Sequence, residues 1–443
     1  MTHFPTAFRL ALLAALAILM PRIGDAQATA YETIYSFHGT PDGSQPEGAL
    51  VVGSTGVLYG TTKSGGASNL GTVFELTKPT GEPWKETVLH SFSGPDGQYP
   101  ASTLTLSSAG ALYGTTTQVA YGGGVENGTI FEVAPPSTAG SAWTETVLYT
   151  FIYTPQVQLA QNVLPNGTLL PGPGGTLYAT TQGAADCTGC ESLGAIVALV
   201  PPAETGAGWT EYILYEFSTP GVSAGPRAGV VSEGGSLLGT DIYGGIYGCG
   251  DFGCGAIYEL TPSATHGGAW TESTIYSFGE TPGDGSTSLA ALTVGRGGVL
   301  YGTTAFGGSA GGCGPVGGCG TVFQLTPPSA PGGAWTEFAI YSFTGIDGDG
   351  ANPYASVIVG ENGVLYGTTQ SGGGSANLGT VFKLTPPAIP GGTWTETVLH
   401  SFTGQNGDGA TPLAALVMSS GVLYGTTSKG GTAERGAVFA SAP

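Results

Sequence analysis

The sequence predicts an all-β fold, a seven-bladed β-propeller of four-stranded antiparallel blades whose last blade is closed by the N-terminal strand. Three observations predict it. One short element recurs seven times, three companion elements accompany it in a constant order, and the chain ends hold complementary fragments of one repeat.

The recurring element reads LYGTT at Leu58, Leu112, Leu300, Leu365 and Leu423, with LYATT at Leu177 and LLGTD at Leu237. Its copies start roughly 54 to 65 residues apart. That spacing exceeds the usual propeller period of about 40 to 50 and leaves room for long loops. Before each copy lies a short Ala-rich apolar run, as in Gly48–Val52 or Leu413–Val417. After it comes GTVFELT, at Gly71 and in varied form at Gly128, Gly194, Gly255, Gly320, Gly379 and Gly436. WTETVLYSF follows, at Trp84, Trp143, Trp209, Trp270, Trp335 and Trp394. All four runs are short, rich in Val, Thr, Tyr and Phe, and bounded by Gly, Pro, Ser or Asn, which is the signature of strands. They are called a, b, c and d, in that order.

The ends argue for a ring. Tyr31–Phe37 is a lone d strand, and the chain finishes on a, b and c alone, so the first strand completes the last sheet and removes the exposed edges. An open solenoid would need polar caps, and the coils of a parallel β-helix are much shorter than this repeat.

Composition agrees. With 80 Gly, 30 Pro and only 9% charged residues, the chain turns often and buries a large core without long helices. Thirty acidic residues against ten basic ones give a net charge of -20, which excludes nucleic acid and anionic membrane surfaces as partners. Arg9, the apolar run Leu10–Met20 and the small-x-small pattern at Ala26–Ala28 read as a signal peptide over residues 1–28, cleaved after Ala28. The run is too short for a bilayer span, which needs about 20 residues. Residues 29–443 are then expected to form one propeller domain, secreted or periplasmic, monomeric, with no membrane span and no C-terminal anchor.

The shared consensus runs GVLYGTT, a GG-rich loop, GTVFxLTP, a Pro/Gly stretch, WTETVLHSF and TGxDGxxP. It resembles the GloVer (Gloeo/Verruco) tandem repeat of exported bacterial proteins and covers essentially the whole chain after residue 28. The resemblance implies a secreted or surface location and brings no catalytic residues with it.

In a propeller the d-to-a and b-to-c loops share one face, where binding is expected. The cysteines fall in the b-to-c loops of three successive blades as Cys187/Cys190, Cys249/Cys254 and Cys313/Cys319. In an exported chain such local pairs are expected to be disulfides that shape loops. A shared zinc site and a redox-active CxxC are the alternatives. The d-to-a loops are rich in Asp-Gly. Asp347 and Asp349 form the best candidate for Ca²⁺, against the simpler reading that Asp and Gly form turns; no other metal site or cofactor is expected. His90 and His400 replace the Tyr of sister repeats and read as strand residues. The Tyr of LYGTT and the Trp of WTE are expected to pack between blades.

Blade 4 departs from the consensus. Asp241 replaces the second Thr, Arg227 enters strand a, and Tyr243, Tyr247 and Asp251 occupy an enlarged loop. With Asp186, these are the candidate ligand-binding residues, suited to a sugar or other polar ligand. An Arg227–Asp241 pair that offsets repeat drift is the rival explanation. The leading reading is a non-enzymatic binding or surface-associated scaffold for a glycan or protein. The alternative is a polysaccharide hydrolase or lyase using Asp241, Asp251 or Asp186, for which two carboxyls should stand about 5 to 9.5 Å apart. A purely structural protein is the third.

Overall fold

A computed structural model describes residues 30–118, 128–138, 140–151, 164–183, 193–204, 206–217, 223–245, 249, 253–263, 270–309, 313, 317–330, 332–389 and 391–443. Seven four-stranded antiparallel blades form a ring. In blade 1, strand a is Val51–Val52, b is Leu58–Thr62, c is Thr72–Thr77 and d is Lys85–Ser91. The strands pair in sequence order.

Blade 7 is completed as the chain ends require. Tyr31–Ser36 pairs antiparallel with Ala437–Ser441, with Tyr31 opposite Ser441 and Ser36 opposite Ala437. The Phe37 amide adds a hydrogen bond to the Gly436 carbonyl at 3.0 Å. Velcro closure of this kind leaves the outer edge of blade 7 no more open than that of any other blade.

Among the described residues the apolar clusters lie at the seams between neighbouring blades. At six of the seven seams the Phe that ends strand d meets an aromatic ring of the next blade's strand c, edge to face. The pairs include Phe37–Phe74, Phe92–Phe131 and Phe217–Tyr258, with centroids 5.1 Å apart. Each such contact contributes about 0.5 to 1.5 kcal/mol beyond its buried area.

The LYGTT element can now be accounted for residue by residue. Leu58 is fully buried. Tyr59 packs edge-on against Trp143 of the next blade at 5.9 Å, as Tyr178 does against Trp270 and Tyr301 against Trp394; the expected interblade role of these aromatics is borne out. At Gly60 an added Cβ would lie 2.6 Å from the Phe74 ring, so the opposite aromatic leaves room only for hydrogen. Thr61 Oγ1 donates to the Ser102 carbonyl just ahead of strand a of the next blade, and Thr240, Thr303, Thr368 and Thr426 stitch their own seams likewise. Thr62 bonds Thr72 of its own strand c at 2.7 Å.

Every blade also carries a β-bulge between strands c and d, at Val73/Phe74 in blade 1, which leaves Leu89 unpaired. A bulge increases local twist and re-aims the end of its strand, and here the end of d carries the Tyr or His that faces the next blade.

Candidate functional site

The d-to-a and b-to-c loops do share a face, because short ladders tie them together: Gly43–Ser44 pairs with Ser64–Gly65, and Gly350–Ala351 with Ser371–Gly372. At the centre of this face opens a cavity of about 240 Å³. Each blade contributes three consecutive residues to its wall, in most blades from the stretch that leads into strand a. Second and third positions are Gly, Ala, Ser or Thr throughout, which gives a narrow wall of small side chains. First positions differ: Glu47, Ala101, Asn166, Arg227, Leu289, Tyr354 and Leu413.

Glu47 is paired with Lys63 at 3.2 Å, and Asn166 donates to Gln182 Oε1 at 2.9 Å. Arg227 is exposed and makes no hydrogen bond or ion pair among the described residues. The half-buried Tyr354 likewise has no hydrogen-bond partner there. The cavity therefore presents a guanidinium and a phenol, both uncommitted, above a wall too small to fill the space.

The other blade 4 candidates separate. Asp241 is fully buried, and neither carboxylate oxygen has a hydrogen-bond partner. The Arg227–Asp241 pair is not formed, since one residue is exposed and the other enclosed in the sheet opposite Ala256. Desolvation first, then the negative charge of Glu272, pushes the Asp241 carboxyl well above the usual range. Tyr243 lies further along the strand that holds Asp241 and stands opposite Ala224 in the ladder on that strand's other side. Asp186, Tyr247 and Asp251 lie outside the described residues, as do Cys187 and Cys190. The other two disulfides are formed, Cys249–Cys254 and Cys313–Cys319.

A second constellation repeats at the seams, and sequence reasoning did not find it. At five seams the Tyr or His near the end of strand d meets the Asp of the following Asp-Gly loop, and at six it lies beside the Glu of the next blade's WTE, whose place in blade 7 Tyr31 takes. Tyr276 donates to Asp284 at 2.9 Å and reaches Glu337 at 3.4 Å. His90 and His400 occupy the same place as their sister tyrosines and bond Asp96 and Asp408 at 2.9 and 3.1 Å. Ligand atoms of His90, Asp96 and Glu145 lie within 4.8 Å of one another. Equivalent seams place Tyr where His90 stands, so the trio is one form of a recurrent interblade bridge. The loop between blades 3 and 4 has no Asp, and there Asp241 supplies the carboxylate from strand b: its charge and that of Glu272 both act on Tyr215. The invariable Glu of WTE, to which the motif reading assigned no role, was the available signal.

Burial and then a neighbouring Asp raise Glu86, Glu145, Glu337 and Glu396 to about 7. The loop carboxylates are turn organisers. Asp349, expected with Asp347 as a Ca²⁺ ligand, accepts from the Thr344 amide, the Thr344 hydroxyl and the Gly350 amide at 2.7 Å each. Asp347 takes the left-handed φ of 54° within that turn.

A model of the Gloeobacter/Verrucomicrobia repeat matches residues 24–190 and 164–439. No curated protein matches the chain in sequence. Among solved structures, the Cps50 (Swd1) β-propeller domain of Myceliophteria thermophila is 13% identical, with 93% of this chain and 98% of that one covered and a TM-score of 0.49. The extracellular domain of a one-component system from B. thetaiotaomicron is 12% identical over 93% of this chain and 42% of that one, at 0.49. A glucose dehydrogenase is 11% identical over 93% and 99%, at 0.43. Similarity at this level carries no argument about activity.

Proposed function

The chain belongs to the Gloeobacter/Verrucomicrobia repeat family, and from that premise we propose that it is an exported, non-enzymatic binding scaffold whose ligand is a glycan seated in the channel mouth of the loop face. One observation carries the reading. Repeats that keep the same residue at nearly every packed position diverge at the first wall position of strand a, where Glu47, Asn166, Arg227, Leu289 and Tyr354 share one cavity. A mouth with an aromatic, a guanidinium and an amide above a small-residue wall offers the mix of apolar area and directed polar groups that sugars need.

Export is supported by the leader-like N-terminus and the two disulfides, which persist in oxidising compartments. Among the described residues no helix is long and apolar enough to cross a membrane. The protein acts as a monomer in this reading, with no cofactor. A glycan array probed with purified protein tests it: binding that Tyr354→Ala weakens at least tenfold supports the mouth as the site, and binding indifferent to Tyr354 and Arg227 overturns it.

A further inference from the structure

Arg227 stands out for what surrounds it. The chain has a net charge of -20 and only ten basic residues, yet this one is exposed at the cavity and left without a counter-ion among the described residues. An arginine with no structural partner in so acidic a molecule is set out for an external anion. Glu47, the acidic residue of the same wall, is already paired with Lys63 at 3.2 Å.

Resting on the glycan reading above, we propose that the channel mouth selects an acidic sugar, binding the carboxylate of a uronate residue through the Arg227 guanidinium. The planar guanidinium matches a carboxylate with two parallel N–H···O bonds, a geometry that lysine cannot offer. A monoanion fits better than a phosphate, because each additional negative charge meets the repulsion of the whole acidic molecule. The cavity, about 240 Å³, lies below the range of roughly 300 to 1,000 Å³ usual for drug-sized ligands, so one ring with its carboxylate fills it. Tyr354, two blades away on the same wall, then provides an apolar face and an unused hydroxyl for that ring. Glu47 keeps its lysine and so does not compete for the guanidinium.

The test measures binding of oligogalacturonate, its methyl ester, a neutral galactan oligosaccharide and a peptide with a free C-terminal carboxylate to the full chain by calorimetry at low and moderate salt. Oligogalacturonate is expected to bind, with at least tenfold loss on esterification, in Arg227→Gln and in Arg227→Ala, and weaker binding at higher salt. Arg227→Lys should recover only part of the loss. Arg296→Gln removes the same charge from the a-to-b turn that holds Arg296–Gly298 and should bind like the parent. Because Arg227 has no partner to lose among the described residues, its variants should melt with the parent. Equal binding of ester and acid, or an unaffected Arg227→Gln, overturns the carboxylate inference while leaving the glycan site standing. Binding of the peptide in preference to the uronate overturns it as well, and failure of every saccharide overturns the glycan reading itself.

Discussion

Ala179 stands opposite Val197 in blade 3, whereas each of the other blades sets a glycine opposite an aromatic ring at that place. The two substitutions are one adjustment, since a smaller partner across the ladder makes room for a methyl group. An added Cβ at Gly302 would lie 2.2 Å from the tip of the Phe323 ring. Gly302→Ala should therefore destabilise the fold by about 1 to 3 kcal/mol. Phe323→Val alone opens a cavity at a cost of about 2 to 4 kcal/mol. The double variant should be less destabilised than the sum by about 1 kcal/mol or more, a coupling that a denaturation cycle reads directly. Gly208→Ala, with open space around it, serves as the neutral control.

The seam glutamates make stability pH-dependent. Glu86, Glu145, Glu337 and Glu396 titrate near 7 in the folded state because burial disfavours their charged form, whereas in the unfolded chain they titrate at about 4.3. The folded state thus holds more protons between those values, and stability falls as pH rises from about 4.5 through 7. His90, pushed down mainly by burial, works in the opposite sense below its unfolded value, but it is one group against these four and the further carboxyls that burial raises, Glu75, Glu211, Asp241, Glu272 and Asp284. Discounted for partial exposure, each glutamate contributes about 1 kcal/mol to the decline. Melting temperatures should be higher at pH 5 than at pH 8, and changing all four to Gln should make the decline shallower. A parent profile that rises between pH 5 and 8 would contradict this account.

Much of the fold was legible because a repeat states its packing several times. LYGTT, GTVFELT and WTETVLYSF gave the strands, and the lone Tyr31–Phe37 strand gave the closure. The binding surface was less so. Cysteine-braced loops and an unusual Asp241 drew attention to blade 4, yet burial depends on strand register, and Asp241 lies inside the sheet at a position that threonine occupies elsewhere. Arg227 was recognised, but its partners on the wall, Tyr354 and Asn166, sit in other blades at positions whose shared feature is that they differ. Nothing along the chain marks residues brought together only by ring closure.

Asp241 and Tyr258 lie diagonally across one face of blade 4, and both carboxylate oxygens and the phenol are buried without hydrogen-bond partners. An unmet buried polar group costs about 1 to 3 kcal/mol. Asp241→Thr restores the residue found at this place in the sister blades and should raise stability, and Tyr258→Phe should raise it independently by about 1 kcal/mol. Chemical denaturation of both variants checks this. A loss of stability in Asp241→Thr would instead mean that the carboxylate is needed at the seam where the loop has no Asp of its own.

Closure by Tyr31–Ser36 should be replaceable. This strand fills the outer edge of blade 7 through backbone pairing with Ala437–Ser441, and Tyr31 anchors it further by stacking on His400 at 3.5 Å and donating to Asp408 at 2.8 Å. Its cross-chain contacts are made by side chains that lie beyond the strand it pairs with, so sequence as well as backbone should matter. A chain starting at His38 leaves the Ala437–Ser441 edge open and should aggregate through it. Adding a peptide of residues 29–37 in excess should then restore solubility and raise the melting temperature in proportion to the logarithm of peptide concentration, as expected for a ligand that binds only the folded state. The same peptide with Tyr31→Ala keeps the backbone ladder but loses the stack and the hydrogen bond, and should bind more weakly by about tenfold, corresponding to about 1.4 kcal/mol. If the truncated chain is as soluble and stable as the parent, or if both peptides rescue it equally, the first strand is not the lock that its pairing indicates.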